Sequence, residues 1–144
     1  WQDNHQLIYL GMQDQFHTFN MFDCQAWYAR DVIMGKIKLP SDAEIEADIK
    51  KWVAEEESLE DPIQMIDFQT EYTKELHAAS DYPAIDFELM RKHFKDWEHH
   101  KEEDILTYRN RSFSSPVTGT VAPIHHTPWA EAMDDSMDTF MKSK

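Results

Sequence analysis

Residues 7–40 run LIYLGMQDQFHTFNMFDCQAWYARDVIMGKIKLP, and the succession of residue types in this stretch sets the expected fold. Leu7, Ile8, Tyr9 and Leu10 make a short apolar run closed by Gly11, which predicts a buried strand ending in a turn where backbone approaches something closely. Polar and aromatic residues follow from Gln13 to Phe19, and Asn20 then suits the N-cap of a helix. Phe22, Ala26, Ala29 and Ile33 recur at helical spacing on one face, while Trp27, Tyr28 and Val32 extend the apolar surface to more than one side. Gly35 suits the left-handed residue that closes such a helix.

Beyond Pro40 the pattern becomes wholly helical. Ser41 and Glu44 form a capping box ahead of Ile45, Ile49, Trp52 and Val53, which make the apolar stripe of a second helix. Asp61-Pro62 with Gln64 starts a third, carrying Met65, Phe68, Tyr72 and Leu76. Asp86 opens a fourth, with Phe87, Met90, Phe94 and Trp97 directed inward. Residues 112–126, with Pro116, Gly119 and Pro123, form an extended irregular connection, and Thr127-Pro128 starts a fifth helix striped by Trp129, Met133, Met137 and Phe140. The expectation is a mostly α chain, one strand followed by about five helices. A lone strand cannot make a sheet by itself, so these aromatic stripes are expected to pack against a further domain.

The composition narrows the function. At 144 residues with 41% apolar and 12% aromatic content, the chain is long enough and apolar enough for a real core. Its net charge of −14 disfavours nucleic acid and anionic membrane surfaces, which require clustered Lys and Arg. No apolar run approaches the roughly 20 residues of a bilayer span, and no basic segment precedes an apolar signal core, so a soluble cytoplasmic protein is expected. The single cysteine, Cys24, excludes an internal disulfide and a multi-thiolate zinc site, and its place in an apolar helical pattern predicts an inert buried thiol. The start at Trp1-Gln2-Asp3-Asn4, without Met and leading into a strand, suggests the middle of a longer protein.

Two blocks carry a family resemblance. The first is Tyr9-Leu10-Gly11-Met12-Gln13-Asp14-Gln15, continuing through Thr18-Phe19-Asn20-Met21-Phe22-Asp23 and Gln25-Ala26-Trp27-Tyr28-Ala29-Arg30-Asp31-Val32-Ile33-Met34-Gly35. The second is Trp97-Glu98-His99-His100-Lys101, then Tyr108-Arg109-Asn110, Thr118-Gly119-Thr120, Ala122-Pro123 and His125-His126-Thr127-Pro128-Trp129. Together they resemble bacterial flavin-containing monooxygenases of the trimethylamine-oxidising type, with a more variable middle at about residues 41–84. The resemblance implies an α/β parent built from two dinucleotide-binding domains, with FAD and NADPH as cofactors, a small amine and oxygen as substrates, and a homodimer. Gly11, Gly35 and Gly119 are the only glycines, too far apart for a G-x-G-x-x-G turn, so neither nucleotide fingerprint lies in this chain. On this resemblance residues 1–40 are the end of the FAD-binding domain, and residues 41–144 are a helical C-terminal region packing over the cofactor cleft. The missing N-terminal nucleotide-binding domains are then its first partner, and the chain alone is expected to be inactive.

The resemblance also assigns residues. Gln15 and Thr18 are expected to contact FAD, with Gln13 and Asn20 as weaker candidates, and Arg109 is expected to contact NADP. A strand-to-helix turn suits reduced flavin, because a helix N-terminus presents unpaired N–H groups and a positive dipole end to developing negative charge. An arginine fork suits an anionic or amide-bearing nucleotide. Without the family, loop polarity accounts for Gln15 and Thr18, and a surface ion pair accounts for Arg109. No residue is assigned as catalytic, since the cofactors carry the chemistry and the protein supplies position, electrostatics and exclusion of water.

The remaining features favour plainer readings. Adjacent histidines on a helix diverge by about 100°, so neither His99-His100 nor His125-His126 chelates a metal alone, and helix-end hydrogen bonding accounts for both. Glu55-Glu56-Glu57 and Asp134-Asp135 suit solvated faces. The rival from another class is a free-standing acidic helical module that binds a partner protein through its aromatic stripes. Flavin absorbance in the purified material separates the two.

Overall fold

In the computed structural model, residues 4, 6–11 and 16–121 are described. Four helices follow in order: α1 (Thr18–Ile33), α2 (Asp42–Glu56), α3 (Pro62–Ala78) and α4 (Phe87–Glu103), and a 3₁₀ turn (Tyr108–Asn110) comes after them. The helix expected from Thr127 lies outside the described residues, as do Gln13, Gln15 and the His125-His126 pair. Among the described residues no helix is long and apolar enough to cross a membrane.

Three of the four helix starts follow local rules. Ser41 and Glu44 exchange both bonds of the capping box at the start of α2. The Asp61 carboxylate accepts the Gln64 N–H with Pro62 in the first turn of α3, and the Asp86 carboxylate accepts the Leu89 N–H at the start of α4. Gly35 sits at φ +71° just past α1, in the left-handed region that a helix-closing glycine serves. The start of α1 differs from the reading of Asn20 as its cap. The helix begins at Thr18 with His17 in the N-cap position, so Asn20 is already helical.

The expected strand at Leu7 to Leu10 is not formed among the described residues, whose pairing is limited to an isolated bridge between Ser114 and Val121. A strand exists only through the ladder it shares with a neighbour, and all four of these side chains are exposed. The described residues are therefore an all-helical unit.

Helix α3 is its centre, with α1, α2 and α4 each packed against it. Its apolar stripe, Met65, Phe68, Tyr72 and Leu76, is only half-buried, and Trp52 of α2 lies edge-on to Phe68 and Tyr72 at 5.3 and 5.5 Å. The sealed face instead carries Ile66, Gln69, Thr70 and Thr73. Thr70 and Thr73 are tolerated there because each hydroxyl donates to the carbonyl four residues back, Ile66 O and Gln69 O, at 2.7 Å. Helix α1 is likewise rotated from its expected face. Met21, Cys24, Gln25, Ala29 and Asp31 are buried, whereas Ile33 is 76% exposed.

Charge secures the ends of this arrangement. The buried carboxylate of Asp31 accepts from Arg30 Nε at 2.8 Å and pairs with Lys36 at 3.3 Å, which holds its pKa below the usual carboxylate range. Arg30 reaches on to Asp81, and its guanidinium also lies over the Trp27 ring, which Tyr82 meets edge-on. The end of α1 is thereby tied to the α3–α4 connection.

Candidate functional site

Gly11 and Phe16, ahead of α1, are each held by a glutamine side chain from the core. Gly11 donates its N–H to Oε1 of Gln25 on α1 at 3.0 Å. Phe16 donates its N–H to Oε1 of Gln69 on α3 at 2.8 Å. Both glutamines are buried, with 6% and 2% exposure, and Gln25 Nε2 also donates to the Tyr72 hydroxyl at 3.1 Å. A buried amide is costly unless its polar atoms are paired, and each of these pairs its oxygen with a backbone N–H, of Gly11 or of Phe16. Gly11 has φ +75°, and a Cβ at that position would sit 2.9 Å from Cζ of Phe22. Both its conformation and its close approach to the Phe22 ring therefore require glycine.

Thr18 follows directly, as the first residue of α1. His17, in the N-cap position, makes no side-chain cap hydrogen bond, unlike the capping residues of α2, α3 and α4, and the first turn of α1 holds no acidic residue. Such a terminus, carrying the positive end of the helix dipole, suits an electron-rich or anionic group supplied from outside α1. The Thr18 hydroxyl adds a further donor there.

His17 anchors the start of α1 from beneath. It is 1% exposed, with the Phe94 ring edge-on at 4.5 Å between centroids. Its Nε2 lies 3.1 Å from Thr70 Oγ1 and 3.3 Å from Ile66 O. Because the Thr70 hydroxyl already donates to Ile66 O, the imidazole must carry its proton on Nε2 and donate into this pair. Burial pushes its pKa down to about 4, with Arg91 adding in the same direction against the opposing bond to Ile66 O. His17 is a neutral structural imidazole.

Arg109 lies exposed in the 3₁₀ turn, with its guanidinium 4.6 Å from the centroid of the Tyr108 ring. Among the described residues it makes no salt bridge. Tyr108 is buried and meets Trp97 edge-on at 5.2 Å, and Trp97 meets Phe16 at 6.5 Å. This series of rings joins the turn that carries Arg109 to the start of α1, which carries Thr18.

No protein-family model matches the sequence. Against curated proteins, the chain is 79% identical over 144 residues to a trimethylamine monooxygenase of Pelagibacter sp. (strain HTCC7211), a match covering all of this chain and 32% of that protein. It is 57% identical over 140 residues to a trimethylamine monooxygenase of Methylocella silvestris, covering 97% of this chain and 31% of that protein. The crystal structure of Tmm from Pelagibacter sp. strain HTCC7211 superposes with a TM-score of 0.86 at 81% identity, covering 97% of this chain and 32% of the other. Over its whole length the segment is similar to one part of the trimethylamine monooxygenases. It spans about a third of the length of these relatives.

Within this segment, the structure places Thr18 at the start of α1 and Arg109 on an exposed turn, while Asn20 is a half-buried residue of the first turn of α1. Gln25, Gln69, Tyr72 and His17 are the contributions that the sequence reading missed. The available signal was a set of long polar residues interrupting buried helical positions, Gln25 beside Met21, Cys24 and Ala29, and Gln69 beside Ile66, Thr70 and Thr73. Cys24 is an inert thiol, pushed up to about 11 by burial and by the neighbouring Asp23 carboxylate. His99 and His100 face Glu103, each at 3.3 Å, and His100 Nε2 also meets Arg111 at 2.9 Å. These contacts give both rings a place at the end of α4.

Proposed function

We propose that this segment is part of an FAD- and NADPH-dependent monooxygenase that converts trimethylamine to its N-oxide. The observation that carries the reading is the 79% identity to a trimethylamine monooxygenase across every residue of the chain. When bound, FAD supplies the oxygen-transfer chemistry, with NADPH giving two electrons, one oxygen atom going to the amine nitrogen and the other leaving as water. The role of this chain is to bind and orient. Thr18 and Gln15 hold the flavin edge from the turn and the α1 N-terminus, and Arg109 meets the nicotinamide dinucleotide with its planar fork.

In this reading residues 1–40 complete the FAD-binding domain and residues 41–144 lie over the cofactor cleft. The exposed side chains of Leu7, Ile8, Tyr9 and Leu10 support a docking of this edge, as a strand, onto the remainder of a two-domain α/β parent. The segment is inactive without the nucleotide-binding domains, and the parent is a cytoplasmic homodimer. Thr18→Val in the full-length enzyme tests the flavin contact. The expected result is about a tenfold weaker hold on FAD, because a donor at the flavin is lost, and wild-type affinity would remove Thr18 from the site.

A further inference from the structure

We infer that Gln25 and Gln69 are positioning residues that fix Gly11 and Phe16, and so set how the start of α1 meets the flavin. The inference rests on the flavin reading of Thr18 and goes beyond it, because neither glutamine is assigned a cofactor contact. Gly11 is fastened to α1 and Phe16 to α3, by two acceptors of the same kind on two different helices. A relative shift of α1 and α3 would therefore displace Gly11 against Phe16 and the helix start that follows it. Gln25 is itself steered by the Tyr72 hydroxyl, and Tyr72 packs edge-on against Trp52 of α2. The placement of Gly11 and Phe16 thus depends on three helices.

Packing alone does not call for glutamine at these positions. Leucine fills a buried helical site of similar volume without an amide to satisfy. What leucine lacks is the amide, whose oxygen fixes the Gly11 or Phe16 N–H and whose nitrogen at position 25 donates to Tyr72. Glutamate at position 25 keeps that oxygen, and burial favours its protonated form, whose O–H donates to the Tyr72 hydroxyl as the amide does. Gln25→Glu is therefore the conservative variant, and Gln25→Leu and Gln69→Leu are the disruptive ones.

The test is a titration of FAD into the flavin-free full-length enzyme, read by the quenching of flavin fluorescence. The expected result is a rise of about tenfold in the FAD dissociation constant for each leucine variant, and of less than about threefold for Gln25→Glu. The titrations are run where circular dichroism finds the flavin-free proteins fully folded. Folded leucine variants that bind FAD like the wild type overturn the inference, and so does a Gln25→Glu loss equal to that of Gln25→Leu. If a leucine variant does not fold, Tyr72→Phe decides: about a threefold rise supports the inference and an unchanged constant overturns it. Thr18→Val in the same titration separates the two layers. Loss of affinity in Thr18→Val with none in the glutamine variants overturns the positioning role alone, whereas wild-type affinity in Thr18→Val overturns the flavin reading itself.

Discussion

Gln69 on α3 accepts the backbone N–H of Phe16 at 2.8 Å, a contact that spans 53 positions of sequence. It fixes the chain just before α1, and the bond from Gly11 to Gln25 fixes Gly11 in the same way. The helix beyond it opens with Thr18, and His17 in the N-cap position makes no side-chain cap hydrogen bond. A core built around two buried amides thereby presents a helix N-terminus in a defined place.

Gly11→Ala is expected to destabilise the protein by about 2 kcal/mol. The left-handed conformation at φ +75° costs an L-residue ~1–2 kcal/mol, and the new Cβ would press on the Phe22 ring at 2.9 Å. Denaturant melts of the variant and the wild type check this. Adding Phe22→Leu should recover only part of the loss, since it relieves the contact and leaves the backbone strain.

His17 should make stability depend on pH between its ordinary value of 6.5 and its folded value of about 4. In that window the unfolded chain binds the proton and the folded chain does not, so stability falls as pH drops through it. The contribution is complete above pH 6.5 and amounts to about 3 kcal/mol, all of it withdrawn once pH is below about 4. Other carboxylates with lowered values, such as Asp31 and Glu71, titrate at the acid end, so the informative quantity is the difference from His17→Gln. The wild-type curve should be steeper across this window. Parallel curves would contradict a buried neutral imidazole.

Arg109→Ala in the full-length enzyme should raise the NADPH Michaelis constant about tenfold while leaving FAD affinity unchanged. Arg109→Lys should recover little, because an ammonium lacks the planar fork. Steady-state kinetics varied in NADPH measure this directly, and an unaltered Michaelis constant and coupling efficiency in Arg109→Ala would remove the residue from the nucleotide site.

The parts legible from the sequence are those whose partners lie within a few residues. Ser41 with Glu44, Asp61 with Gln64 and Asp86 with Leu89 close within one helical turn, and Gly35 needs only its own backbone. The parts not legible depend on distant chain. A strand at Leu7 to Leu10 requires a neighbouring strand that the described residues do not provide. His17 pairs with residues 49 and 53 positions away, and Gln25 with one 47 positions away. Apolar periodicity also misplaced the buried faces of α1 and α3, because Gln25, Gln69, Thr70 and Thr73 are polar residues that satisfy themselves inside the core. Thr18 and Arg109 are assigned through family resemblance, since nothing in their immediate sequence distinguishes them from ordinary turn and surface residues.

The central claim is that the turn and the first residues of α1 hold the flavin. Amide hydrogen exchange of the full-length enzyme, compared with and without FAD, tests it most directly. The account predicts that peptides covering residues 11–20 exchange more slowly once FAD is bound, while the amides of α2 change little. Exchange in residues 11–20 that is the same in the two states would contradict it.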